Sequence, residues 1–439
     1  MNLQKENSTD RNGDLVRFNA HINRLKSGLG LYEERGYPKE ISYIQQVFKW
    51  IIENHEKDLK TNLEYIEKKK RRGITLDTAD KENPSHQIKA SIKSILVFYE
   101  NYWGSVDFSI HSVPWYFKSM ILDILKKVLP EKRIELVIFP ESIYNLEITS
   151  LEDEVRRSFR VEITEINKAI NQNCPDILFI LRIPPYLILD PLANFLIFHE
   201  MGHYFIKQNF NFTEVAKSNP QIEKFFIREY IKPLAEKERN EIMRDDWVQR
   251  WLIEISCDCF SAAIGGPASL IATLEYFILS PDSPKKTHPS QSIRIRAIKN
   301  CLFSWLSPKK KSIVLVEKYF KEKISLNDSA FLELFNAVYL EIKDKTSKAG
   351  LFLLDNIIKY IEQSIKEIET DMLPIDLIPG QVNWLFNYVI AFNGAWSSYS
   401  SKSTDTNGWR DKYNEILLKI LEIDRFRIEW DTENNQAEK

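Results

Sequence analysis

The pentapeptide His199-Glu200-Met201-Gly202-His203 sets two imidazoles four residues apart, with a carboxylate between them. On an α-helix, positions i and i+4 share a face, so both rings can reach one metal ion. Glu200 projects beside them, where it can take a proton from a water that the metal has acidified. Chance is a weak rival. Seven histidines and 62 acidic residues among 439 give roughly 0.016 such pentapeptides per chain in random order.

A catalytic zinc takes three protein ligands and keeps a fourth position for water. Fifty-one residues after His203, Glu254-Ile255-Ser256-Cys257-Asp258 repeats the i, i+4 spacing with two carboxylates. Trp247, Trp251, Leu252, Ile253, Ile255 and Phe260 surround them, so the pair belongs to a largely buried helix rather than a solvated one. Glu254 on the metal and Asp258 on the second ring nitrogen of a ligand histidine is one arrangement this spacing allows. Asp258, Asp245 and Asp246 are alternative third ligands. Further on, Thr287-His288-Pro289-Ser290 leads to Arg294. His288 or Arg294 can stabilise an oxyanion. The other reading is a helix start capped by Pro289 and Ser290, with Arg294 in an ion pair.

HEMGH, then EISCD, then Gly265-Gly266, then His288-Pro289-Ser290 with Arg294 resembles the gluzincin metallopeptidases, and within them the HtpX and CAAX-prenyl-protease family. The likeness covers roughly residues 190–300. It implies a zincin-like core with one Zn²⁺ per chain on His199, His203 and Glu254. Glu200 is then the general base, Asp258 the outer partner of a ligand histidine, and His288 and Arg294 site residues. Cys257 stands where that family usually has alanine, and the membrane spans typical of it are not expected here.

The elements that must position these residues read as follows. Pro38-Lys39-Glu40 opens a helical pattern that runs to Gly73, and further helices are expected over 88–103 and 114–129. IELVIF (134–139) and DILFILRI (176–183) read as buried strands, with a strand and one or two helices between them. Strand 176–183, just before the metal helix, is either an edge that pairs with an extended peptide or a fully paired central strand. Asp190 as N-cap and Pro191 at the first turn predict a helix from 191 to about 207. Helices follow at 234–243, 247–264, about 291–305, 330–344, 350–368, 381–396 and 409–423, with a polar loop over 397–408. Glycine within a helix costs about 1 kcal/mol relative to alanine. Gly202 is therefore expected where the Glu254 helix makes its closest approach.

The expected fold class is α+β, predominantly helical. A helical region over 1–130 precedes a metallopeptidase domain over 131–306, and a helical region over 307–439 follows. Net charge of −2 gives no global reason to bind nucleic acid or anionic membrane. The run Lys68-Lys69-Lys70-Arg71-Arg72 is best read as cations in the last turns of a helix, favoured by its dipole. Four scattered cysteines, Cys174, Cys257, Cys259 and Cys301, are too few for a disulfide framework, and Cys257 and Cys259 read as small buried side chains. With no apolar leader and no membrane span, a cytoplasmic protein is expected. His21, His55, His86 and His111 carry no assignment. The expected activity is zinc-dependent hydrolysis of peptide bonds in a specific protein substrate, with the helical regions restricting access or recruiting a regulatory protein. A metal-binding regulator or sensor with little turnover is the alternative.

Overall fold

Ile44, Val47, Phe48, Ile51 and Ile52 recur at helical spacing and form the buried stripe of α1 (Lys39–Arg71). The computed structural model describes residues 39–74, 93–95, 113, 115–140, 146–170, 174–188, 190–243, 246–277, 284–285, 287–306, 310–320, 329–370, 384–402, 413, 415–420 and 422–423. The helix expected over 88–103 lies outside these except for 93–95, which are helical. The chain divides into two compact units. One comprises Met1–Val113, Lys132–Glu141 and Thr149–Arg182, the other Pro114–Glu131, Ser142–Ile148 and Ile183–Lys439.

In the first unit the α1 stripe shares a core with alternate residues of two strands, β1 (Ile134–Pro140) and β3 (Ile177–Ile183). Val137 and Phe139 contribute from β1, and Leu178 and Ile180 from β3, as a period of two requires. The intervening Leu136, Ile138, Phe179 and Leu181 are buried as well, so both sheet faces are covered. Strand β2 (Glu147–Ser150) completes a sheet of order β1-β3-β2. The second of the two readings of residues 176–183 therefore holds: β3 is central, and β2 is an edge.

Helices α3 (Leu151–Phe159) and α4 (Ile163–Ile170) close this core. Ser150 caps α3, its Oγ accepting from the Asp153 N–H at 3.1 Å. The basic run ends α1 as a solvated face. Arg71 lies 3.4 Å from Glu67, both exposed, and the Lys69 ammonium stands over the Tyr65 ring.

The second unit is helical: α2 (Trp115–Val128), α5 (Ala193–Asn209), α6 (Trp247–Gly265), α7 (Pro267–Phe277), α8 (Gln291–Leu306), α9 (Ser329–Lys348), α10 (Leu354–Glu369) and α11 (Trp384–Lys402), with shorter helices between. Residues 183–306 and 307–439 share this one unit, where the sequence suggested two regions. The reason is visible at the end of α6. The chain breaks at Gly266 with φ +60°, and Asn393 of α11 satisfies the groups left open. Its Nδ2 donates to the Gly265 carbonyl at 3.0 Å, and its Oδ1 accepts from the Ala268 N–H at 3.2 Å. The Leu353 N–H donates to the Ala263 carbonyl at 2.9 Å.

Helix α11 also corrects the loop expected over 397–408. It continues to Lys402, with Ser397 and Ser398 buried. The Ser397 hydroxyl donates to the Asn393 carbonyl at 2.6 Å, so a polar run is satisfied inside a packed helix. Residues 403–408 lie outside the described set. All four cysteines are buried, and none is in a disulfide. Among the described residues no helix is long and apolar enough to cross a membrane.

Candidate metal centre

Phe195, Phe198, Met201, Phe205 and Ile206 bury α5 on most of its circumference. The helix begins at Ala193, two residues later than expected. Asp190 instead closes the preceding turn, its Oδ1 accepting from the Leu192 N–H at 2.9 Å. Helices α5 and α6 pack along their lengths. Ser261 Oγ donates to the Phe195 carbonyl at 2.6 Å, His199 meets Asp258, and His203 meets Glu254. As numbers rise on one helix they fall on the other, so the two run antiparallel.

Gly202 lies at their crossing. A Cβ built there would stand 3.1 Å from the Cys257 Cα and 3.2 Å from both Cys257 Cβ and Phe260 Cδ1. The nearest atom is backbone and cannot rotate away, which accounts for a glycine in mid-helix. In Gly202→Ala, helix propensity gains about 1 kcal/mol, while overpacking costs about 1–3 kcal/mol. The expected net is a lower thermal midpoint, read by calorimetry. A variant more stable than wild type would remove the close-approach account.

The two ligand candidates on α5 meet the two carboxylates on α6. His199 Nε2 is 3.4 Å from Glu254 Oε2, and His203 Nε2 is 3.7 Å from Glu254 Oε1. His199, Glu200 and His203 each offer one donor atom within 4.8 Å of the others. The other nitrogen of His199, Nδ1, donates to Asp258 Oδ1 at 2.8 Å, which fixes the ring with Nε2 toward Glu254. Arg294 holds Asp258 in turn, its Nε donating to Oδ2 at 2.8 Å and its Nη2 to Oδ1 at 2.7 Å. The ion-pair reading of Arg294 is thus the one found, and the residue positions Asp258, which positions His199.

Two observations test whether a divalent cation fits. Glu254 Oε2 is buried without a hydrogen bond, a costly state for a carboxylate oxygen unless a cation meets it. Glu254 and Asp258 are both held ionised beside one permanent cation, Arg294, and a divalent ion at His199 would take the place of the proton that His199 otherwise holds. The residues fit zinc, whose preferred donors are imidazole nitrogen and carboxylate oxygen in tetrahedral array.

Burial and neighbouring charges set the ionisation of each group. Burial, then the neighbouring His199, lowers the His203 pKa to about 4, so its ring is neutral at pH 7. Burial alone would raise Glu254, but its close pairing with His199 and the charges of His199, Arg294 and His203 lower it to about 2. In His199, burial acts downward and is outweighed by Asp258, which raises the pKa to about 9. Burial raises Glu200 to about 7, with Glu254 and Glu147 adding to the shift. A carboxylate titrating near neutrality can both accept and return a proton. The Cys257 thiol is pushed well up by burial, which keeps it protonated.

His288 joins the cluster from a short segment before α8. Its Nε2 is 3.6 Å from Glu254 Oε1, and its side chain is 54% exposed. Its Nδ1 is 2.8 Å from Thr287 Oγ1. Trp251, read from sequence only as a core aromatic, has a second task here. Its indole N–H donates to the Lys285 carbonyl at 2.9 Å, and the Lys285 N–H donates to the His288 carbonyl at 2.8 Å. Thr287 and Trp251 carry no signal in sequence that would mark them.

The structure therefore gathers His199, Glu200, His203, Glu254, Asp258, His288 and Arg294 at one place. It does not bring Asp246 there. That residue is half exposed and lies 3.5 Å from Arg250, while Asp245 lies outside the described residues. Of the unassigned histidines, His55 packs against Phe159, and His21, His86 and His111 lie outside the described residues. Comparison of the chain with protein-family models, with curated proteins and with solved structures finds no match.

Proposed function

We propose that the protein is a zinc-dependent endopeptidase acting on a protein substrate. The observation that carries this reading is the convergence of His199 Nε2 and His203 Nε2 on a Glu254 carboxylate with one oxygen lacking a hydrogen bond, with Glu200 alongside. Zinc held by His199, His203 and Glu254 would supply the Lewis acidity that makes water nucleophilic near neutral pH. Glu200 takes the proton from the attacking water as the new bond forms between water oxygen and peptide carbon. The C–N bond then breaks, and Glu200 delivers that proton to the leaving amine. Asp258 fixes the tautomer of His199 throughout, and Arg294 keeps Asp258 ionised and in place. His288 faces the same carboxylate from the solvent side, where an imidazole N–H can donate to a developing oxyanion.

The resemblance to gluzincin peptidases supports this assignment of roles.

One observation favours a second reading, a metal-binding regulator with little turnover. Closed structural zinc sites use four protein donors, and His288 provides a fourth within reach. Metal removal separates the two. Protein stripped with a chelator, then reloaded with one equivalent of zinc, is incubated with a denatured protein mixture, and new peptide termini are counted by mass spectrometry. New termini are expected only in the reloaded sample. Stoichiometric zinc with no new termini would favour the regulator and count against the peptidase.

A further inference from the structure

Glu254 and Asp258 turn their charges inward, the first to three imidazoles and the second to His199 and Arg294. Facing outward beside them is a cation. Lys285 is exposed on the short segment that carries His288, and among the described residues no carboxylate pairs with its ammonium. We infer that Lys285 is a specificity-determining residue that binds a carboxylate of the substrate, directing cleavage to bonds within about two residues of an acidic group. This rests on the zinc peptidase reading and adds to it the chemical class of the substrate.

Three observations put the ammonium beside the reacting centre. The Lys285 N–H donates to the His288 carbonyl at 2.8 Å, which closes the segment into a tight loop and makes the two residues neighbours across it. His288 Nε2 is in turn 3.6 Å from Glu254 Oε1, and the positive charge of Lys285 acts on the His288 ring. The loop is also anchored. The indole of Trp251, buried on α6 one turn before Glu254, donates to the Lys285 carbonyl at 2.9 Å. Both bonds at Lys285 are main-chain, so its backbone is held while its side chain extends into solvent. A charge on a fixed base loses less freedom on pairing than one on a loose loop.

An extended peptide advances about 3.3 Å per residue, and lysine carries its charge on a flexible four-carbon stem. From its place across the loop from His288, the ammonium reaches a group one or two residues from the reacting carbonyl. A carboxylate there is attracted, and a lysine or arginine meets a like charge that counts against it. An Asp or Glu side chain and the terminal carboxylate of a peptide offer the same chemistry. The pairing changes no covalent bond. It supplies binding energy away from the scissile bond, which helps to position that bond.

The test uses the zinc-loaded full chain and a denatured protein mixture, with the residues flanking each new terminus read by mass spectrometry. In wild type, the cut bonds are expected to cluster within two residues of an Asp, a Glu or a chain end. Synthetic peptides then distinguish the source, one pair differing only as Glu against Gln and another as free acid against C-terminal amide. The preferred member is expected to have a kcat/KM about 5-fold higher, the upper range of an exposed ion pair, and the ratio should shrink as salt is added. Lys285→Arg is expected to keep the preference, Lys285→Ala to bring the ratio to about one, and Lys285→Glu to favour a basic residue instead. A residue that only supported the loop would not reverse the sign. Cleavage without clustering, or a preference unchanged in Lys285→Ala and Lys285→Glu, would overturn the role of Lys285 and leave the peptidase standing. A zinc-loaded wild type that makes no cuts would overturn the peptidase reading and this inference together.

Discussion

Glu200→Gln is expected to abolish detectable peptide hydrolysis while leaving zinc content at the wild-type level. Glutamine keeps the shape of the side chain, so the packing of α5 is unchanged. It cannot accept a proton at neutral pH, and the attacking water then keeps both of its own. Loss of a positioned general base costs about 10²–10⁴-fold in rate, and the same carboxylate also serves the leaving amine. Its pKa, raised by burial to about 7, is the value that lets one group do both. Cells producing wild type or variant, compared by proteomics of newly appearing protein termini, give the readout whatever the substrate is. Metal analysis of the purified proteins runs beside it. Termini appearing equally in both would remove Glu200 as the base.

Glu254→Ala should act on the other half of the chemistry, the holding of the ion. The wild-type carboxylate faces three imidazole nitrogens and carries an oxygen without a hydrogen bond. Removing it takes away the one ligand that brings negative charge, and the histidines left behind have no anionic partner at that spot. Zinc affinity is expected to fall by more than the roughly 100-fold seen for outer partners of a ligand, with activity lost in parallel and recovered only in part by excess zinc. Competition with a fluorescent chelator reads the affinity. Unchanged affinity would make Asp258 the ligand in place of Glu254. The structure disfavours that result, because both Asp258 oxygens are engaged by Arg294 and one also by His199.

Much of this site could be read in the sequence because its logic is local. His199 and His203, and again Glu254 and Asp258, are set by helical periodicity within five residues, and a glycine between the two histidines marked where a second helix had to pass. What could not be read depends on distant partners. Whether β3 is central or an edge follows from which strands flank it, and the weak pattern of β2 gave no hint that it would lie outermost. Ser397 and Ser398 look like loop residues because the rule that polar runs are exposed fails when hydroxyls bond their own helix. The task of Trp251, one indole N–H holding a carbonyl 34 residues away, has no signature beyond its size. The choice between an oxyanion role and an ion pair for Arg294 was likewise decided by where Asp258 turned out to lie.

The cap that Asn393 places on the end of α6 has a consequence in time as well as in space. The 128 residues that follow Gly265 up to and including Asn393 take about 6–25 s to synthesise at roughly 5–20 residues per second. Over that interval the ribosome has already delivered the α5 and α6 residues of the metal site, while the helix that carries Glu254 and Asp258 still has an open end. The nascent chain thus holds the chemistry of the proposed peptidase before it holds the scaffold of one.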